Sequence, residues 1–308
     1  MNQHDESDPI AHLQDWARKT ERKVRWGRRA RLLRYLIPLT VVALLVGAAV
    51  PTLRWAFAGG DAPAAQPGAP DGVTATTTRS AAPTSPFEGT AAANYPIGEA
   101  GITLPPAKAV TGFSAAQVTE ALTDVRTALI VARLDHDMIV EHRTAGFLRL
   151  LAPNSRTTVE KWIKDNTASN VVTRIDPAVK LDPRNEPRVS GRVTYKSVLD
   201  QGIRTLRVTT NFVWVYAFEG EFAYRPLAVE HDQVDWDFVL DKKVRQADRG
   251  MWVGAAKAYG AWVDCAATKK GLLAPTPKGV AGNGLPDTED PDELAKPEHS
   301  LDIGDDCD

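Results

Sequence analysis

Leu206-Arg207-Val208-Thr209-Thr210-Asn211-Phe212-Val213-Trp214-Val215-Tyr216-Ala217-Phe218 begins as an alternating pattern and then stops alternating. In an extended chain successive side chains point to opposite faces, so Leu206, Val208, Thr210, Phe212, Trp214, Tyr216 and Phe218 share one side. From Phe212 onward the other side turns apolar too, through Val213, Val215 and Ala217. Such a segment is a central strand covered on both faces, or one lining a pocket or a partner surface. We read it as covered core.

The flanking sequence supplies the rest of a sheet. Upstream, Val189, Gly191, Val193, Tyr195 and Leu199 alternate with Arg188, Ser190, Arg192, Thr194 and Lys196. Asp200-Gln201-Gly202 then offers a short turn with glycine where a left-handed backbone is needed, which predicts a hairpin. Downstream, Leu227 to Leu240 and Met251 to Val263 read as two further strands. Before them all, Ser114-Ala115-Ala116-Gln117 fits a capping box, and Val118, Leu122, Val125, Leu129 and Ala132 follow at helical spacing, predicting a helix from about Ser114 to Leu134. A second helical stretch is expected over Asp137 to Leu151, a third from near Ser155, and a short strand over Val171 to Ile175. Helices followed by antiparallel strands predict an α+β fold, with the N-terminal helices packed on one face of a curved antiparallel sheet.

Farther out, charge decides the organisation. The chain has 308 residues, 37 basic and 39 acidic, but the two signs are segregated. Nine Lys and Arg between Arg18 and Arg34 face the single acid Glu21, and Tyr35 to Leu53 carries no charge. As a helix that run is about 28 Å long, enough for a hydrocarbon core of about 30 Å. Basic flanks stay cytoplasmic, so residues 1–34 are expected as a cytoplasmic arm, 35–55 as a transmembrane helix, and the remainder as extracytoplasmic. A cleaved signal peptide is the alternative, given Ala56-Phe57-Ala58. The polar region of over thirty residues before the span and the length of the apolar run argue against it. Residues 56–110, rich in Ala, Pro and Thr, read as a disordered linker; 111–270 form the globular domain and 271–308 an acidic tail. The basic cluster beside the span implies a lipid bilayer as partner and not nucleic acid.

Two cysteines, Cys265 and Cys307, lie in the expected extracytoplasmic part, where disulfides persist. Their pairing would close a loop of roughly forty residues, restricting the unfolded chain by about 4 kcal/mol, and would tie back a tail with little to anchor itself. Free thiols or pairing between chains are the alternatives. Catalytic signals are few. His231, Asp235 and Asp237 project to one side of the strand that carries them, with Val234, Trp236, Phe238 and Leu240 on the other. Such a cluster serves acid–base or ligand chemistry only if that side faces an enclosed pocket; a solvated sheet face is the simpler picture. His136 and His142 are six apart on helical sequence and point different ways. No HExxH, GxSxG, phosphate-binding glycine loop or EF-hand spacing occurs, so no metal or cofactor is implied. Trp252, Tyr259 and Trp262 read as core or as a ligand surface.

The order of elements over about Phe113 to Cys265 resembles the NTF2-like (cystatin-like) superfold. The runs Asp248-Arg249-Gly250-Met251-Trp252-Val253, Tyr259-Gly260-Ala261-Trp262-Val263-Asp264-Cys265 and Leu301-Asp302-Ile303-Gly304-Asp305-Asp306-Cys307 resemble those of a group of actinobacterial single-pass membrane proteins with such an extracytoplasmic domain and no assigned activity. The fold hosts enzymes, ligand pockets and scaffolds alike. Two functional readings follow: a non-enzymatic binding or scaffold module of the cell envelope, with another envelope protein as partner, or a small-ligand binder or enzyme using His231, Asp235 and Asp237.

Overall fold

The computed structural model describes residues 85–200, 202–241, 243–280, 291–302 and 307. The arm and span expected over residues 1–55, and the linker as far as residue 84, lie outside the described residues. Among those described, no helix is long and apolar enough to cross a membrane.

The molecule is built around the stretch quoted above. Strand β2 (Ile203–Ala217) pairs antiparallel with β1 (Arg188–Asp200) on one side and β3 (Leu227–Val239) on the other, and β4 (Gly250–Ala261) completes a four-stranded sheet in the order β1-β2-β3-β4. Asp200 pairs with Ile203, and Gly202 takes φ +81°, the left-handed backbone that the tight turn demands. Between β3 and β4, Val234 pairs with Ala256 but Trp236 with Val253, so Gly254 and Ala255 oppose Asp235 alone. This bulge bends the sheet and strengthens its local twist.

Helix α1 (Ala115–Arg133) starts as expected: the Gln117 backbone donates to Ser114 Oγ, and Gln117 Oε1 accepts from the Ser114 backbone at 2.9 Å. The second expected helix is instead two single turns, α2 (His136–Ile139) and α3 (Ala145–Leu148). The break falls at His142, whose backbone is left-handed at φ 54° and whose Nε2 lies 2.9 Å from the Ile175 carbonyl. Helix α4 (Pro153–Lys164) begins on a proline, at the position where the missing N–H costs no helical bond. Val171 to Ile175 forms no ladder. Its amides bond to Ala168 in the preceding loop and to Ala132 and Ile139 at helix ends, and Ile175 makes a lone bridge with Leu273.

The even-numbered side chains of β2 enter the main core against α1 to α4, with Leu206, Val208, Phe212, Trp214 and Tyr216 all fully buried. The odd-numbered ones, Val213, Val215 and Ala217, enter a second core with Phe87, Val229, Trp262 and Leu294. The strand is thus covered on both faces, but by different means: helices on the inner face, chain-terminal segments on the outer.

Packing of the flanking segments, in this second layer and at the main core, corrects two expectations. From Ser85 the supposed linker is ordered against the sheet: Phe87, Ala92 and Ile102 are buried, the Gly98 amide donates to the Pro187 carbonyl, and the Val189 amide to Pro96. Past residue 270 the supposed tail packs too, burying Leu273, Ala274, Thr276, Leu294 and Ala295. Composition predicts that neither segment can build a core by itself, and neither does. Each instead places a few apolar residues on a sheet face that is already made, where a buried Leu or Phe contributes about 1.5–3 kcal/mol. After α5 (Cys265–Thr268) and the single turn α6 (Pro291–Leu294), the chain returns so that Cys307 is disulfide-bonded to Cys265, with Cα atoms 5.0 Å apart and a sequence separation of 42.

Candidate functional site

The continuous β2–β3 register keeps His231, Asp235 and Asp237 on the outer face, on the side away from the helices. Two of the three meet. Arg207, opposite Asp237, donates through Nε and Nη2 to its two carboxylate oxygens at 2.7 Å each and lies 3.5 Å from Asp235. Thr209 donates to Asp235 at 2.6 Å. Arg207, Thr209 and Asp235, with Thr194, Lys196 and Gln233, line a cleft of about 420 Å³ that is open to solvent, and Asp237 stands behind Arg207 without lining it. Burial raises the Asp237 carboxyl above its ordinary range, and the Arg207 hydrogen bonds oppose that rise.

His231 stands apart from them. It is fully buried, with Nδ1 2.9 Å from the Tyr259 hydroxyl and Nε2 3.2 Å from the Asn211 amide. Burial, then electrostatic repulsion from the direction of His299 and Arg192, pushes it down to about 4, so the ring is neutral at physiological pH. Tyr259 has one proton and donates it to the Leu294 carbonyl at 2.8 Å. Nδ1 thus faces the Tyr259 hydroxyl that holds Leu294, and Nε2 faces Asn211 Oδ1. His231 is spent on holding residue 294 and does not converge with the two aspartates.

A second polar cluster lies on the inner face, unforeseen by the sequence analysis. Arg133, at the last turn of α1, is 1% exposed and reaches two carboxylates of β3: Nη1 is 2.5 Å from Glu230 and Nη2 is 3.0 Å from Asp232. Thr173 donates to Glu230 at 2.8 Å, Trp214 donates its indole N–H to Asp232 at 2.7 Å, and the Tyr216 hydroxyl donates to the Arg133 carbonyl. Nη2 lacks hydrogen-bond alignment with its carboxylate, and the second Asp232 oxygen has no partner among the described residues. Burial opposes the Arg133 charge, but Glu230 and Asp232 outweigh it and raise the guanidinium above its ordinary value. Two acids share that one cation. Asp232 is pushed up to about 7 by burial, Arg133 pulling it down and Glu230 adding to the rise.

Both sets of residues left traces in the sequence. Continuing the alternation of Phe238, Trp236 and Val234 two steps back places Asp232 and Glu230 on the core face, and Arg133 lies one turn beyond Leu129 on the apolar stripe of α1. Of the aromatic trio, Trp262 is core, Trp252 bonds the Asp248 carbonyl at 2.8 Å, and Tyr259 serves the outer face as described. Among the described residues no group of His, Cys, Asp and Glu is placed to hold a metal ion. No family model, no curated protein and no solved structure matches this chain.

Proposed function

We propose that the chain is a membrane-anchored extracytoplasmic binding or scaffold module of the cell envelope, built on an NTF2-like domain and acting without catalysis. One observation carries this reading: the space between helices and sheet, where an enclosed site would lie, is filled. Trp214, Trp236, Phe147 and Phe212 occupy it with essentially no exposure, and its carboxylates are bound to Arg133. Binding pockets are concave and mostly apolar with a few converging polar groups, and that concavity is taken up by the protein itself. The basic arm, the apolar run after it and a disulfide, a bond that persists in oxidising compartments, support placement outside the cytoplasm.

The open cleft around Arg207 favours the second reading, a small-ligand binder. Asp235→Asn with Asp237→Asn in the full-length chain separates the two. Crosslinking in native membranes should give the same adducts at the same yield as the parent chain. Loss of those adducts from a variant that still melts cooperatively would transfer the function to the cleft.

A further inference from the structure

Residues 291–302 cross the outer face of the sheet as a strap. Leu294 and Ala295 are completely buried in the cluster that includes Val213, Val215, Val229, Ala261 and Trp262. Two hydroxyls hold the strap backbone, Tyr95 donating to the Ala295 carbonyl at 2.7 Å and Tyr259 to that of Leu294. Beyond these, Lys257 meets Asp302 at 3.1 Å, and the rings of Tyr259 and His299 lie edge to face at 5.7 Å. Among the described residues, a few apolar contacts and two partly buried hydrogen bonds are little against the conformational entropy of fixing some ten residues. The covalent tie between Cys307 and Cys265 supplies what the contacts lack, by keeping the strap at high local concentration over its seat. Both cysteines are partly exposed, and so within reach of a thiol in solution.

Opening that tie balances simply. An external dithiol attacks one sulfur and closes on itself as a disulfide; its two electrons and two protons leave Cys265 and Cys307 as thiols. The strap then loses its local concentration, and the apolar face beneath it needs a cover. One segment is known to fit that face, residues 291–302, and each copy of the chain carries one. Residues 278–290 link the strap to Pro277, which is bridged to Phe222 in the body of the domain. Extended, they reach about 45 Å, about the diameter of a domain this size, about 35–45 Å.

We propose that this strap exchanges between two copies of the chain, each seating Leu294 and Ala295 on the other's outer face, with the Cys265–Cys307 bond as the gate. An external disulfide then re-forms that bond between copies, its own sulfurs leaving as thiols. The same contacts are made in either arrangement, the condition under which exchange of an element costs least. This goes beyond the proposed function and does not depend on it, since the strap lies outside both the filled interior and the Arg207 cleft.

The test mixes isotopically heavy and light full-length chains in detergent, reduces them with dithiothreitol, reoxidises them with oxidised glutathione and reads Cys265–Cys307 peptides by mass spectrometry. Heavy–light crosslinks should rise at least tenfold over an unreduced mixture. In Leu294→Asp, which keeps both cysteines but loses the seat, they should fall back several-fold. Crosslinks that stay within single chains after full reduction would overturn the proposal. Equal exchange in Leu294→Asp would overturn it too, because the mixing would then be collision of tails without seating.

Discussion

Asp232 and His231 are adjacent in sequence and point through opposite faces of the sheet, and burial shifts their proton affinities in opposite directions. The folded value of Asp232, about 7 against an ordinary 3.8, means that the native state holds a proton the unfolded chain releases. Its contribution to stability is complete below the ordinary value and is lost as pH rises through 7. His231, about 4 against 6.5, contributes fully above 6.5 and loses that contribution as pH falls through 4. Asp232→Asn keeps the neutral shape and removes the first effect alone. Its melting temperature relative to the parent chain should therefore climb steadily from pH 4 to pH 7, and parallel profiles from thermal melts would show that Asp232 does not titrate as described. The sequence revealed the outer-face trio of His231, Asp235 and Asp237 because they form the polar side of an alternation whose other side is apolar. Arg133, Glu230 and Asp232 stayed hidden because a charged residue at a core position is legible only when its partner, about a hundred residues away, is known.

Among the elements, the strands were the most readable, because period-two alternation runs through β1 and the start of β2, and the unbroken apolar run that replaces it from Phe212 is itself the mark of a strand covered on both faces. Asp200-Gln201-Gly202 marked one end well. The helical stretch over Asp137 to Leu151 misled because its apolar residues suit one helix as well as two turns, and the decisive bond, from His142 to the Ile175 carbonyl, is tertiary. Pairing of β1 with β2 has its own sequence requirement. A Cβ at Gly191 would run into the Asn211 carbonyl and the Phe212 ring, so Gly191→Ala has to push β2 or its side chain aside. Urea unfolding should show a loss of about 1–3 kcal/mol, the usual cost of overpacking. Gly202→Ala at the turn should also lose stability, there through its positive φ, since a Cβ at Gly202 meets nothing within 4 Å.

For the whole molecule, the sequence showed the α+β order, the antiparallel sheet and the Cys265–Cys307 bond. It did not show where the domain ends, because Phe87 and Leu294 lie in stretches too poor in apolar residues to be told from linker until the face they cover exists. The proposed membrane topology rests on charge asymmetry in the sequence. A reporter enzyme active only outside the cytoplasm, fused after Asp308, should be active, and one active only in the cytoplasm should not. The double cover of β2 matters most before folding is complete. Phe212 to Phe218 has no charge, no proline and strong strand propensity, the composition that stacks into intermolecular zippers when it is left bare. A chain that is still unfolded exposes that segment to its neighbours, and its protection is speed. Every strand of the sheet pairs with its neighbour in sequence, so Phe212 to Phe218 can be enclosed by local hairpins before the distant segments arrive to seal it.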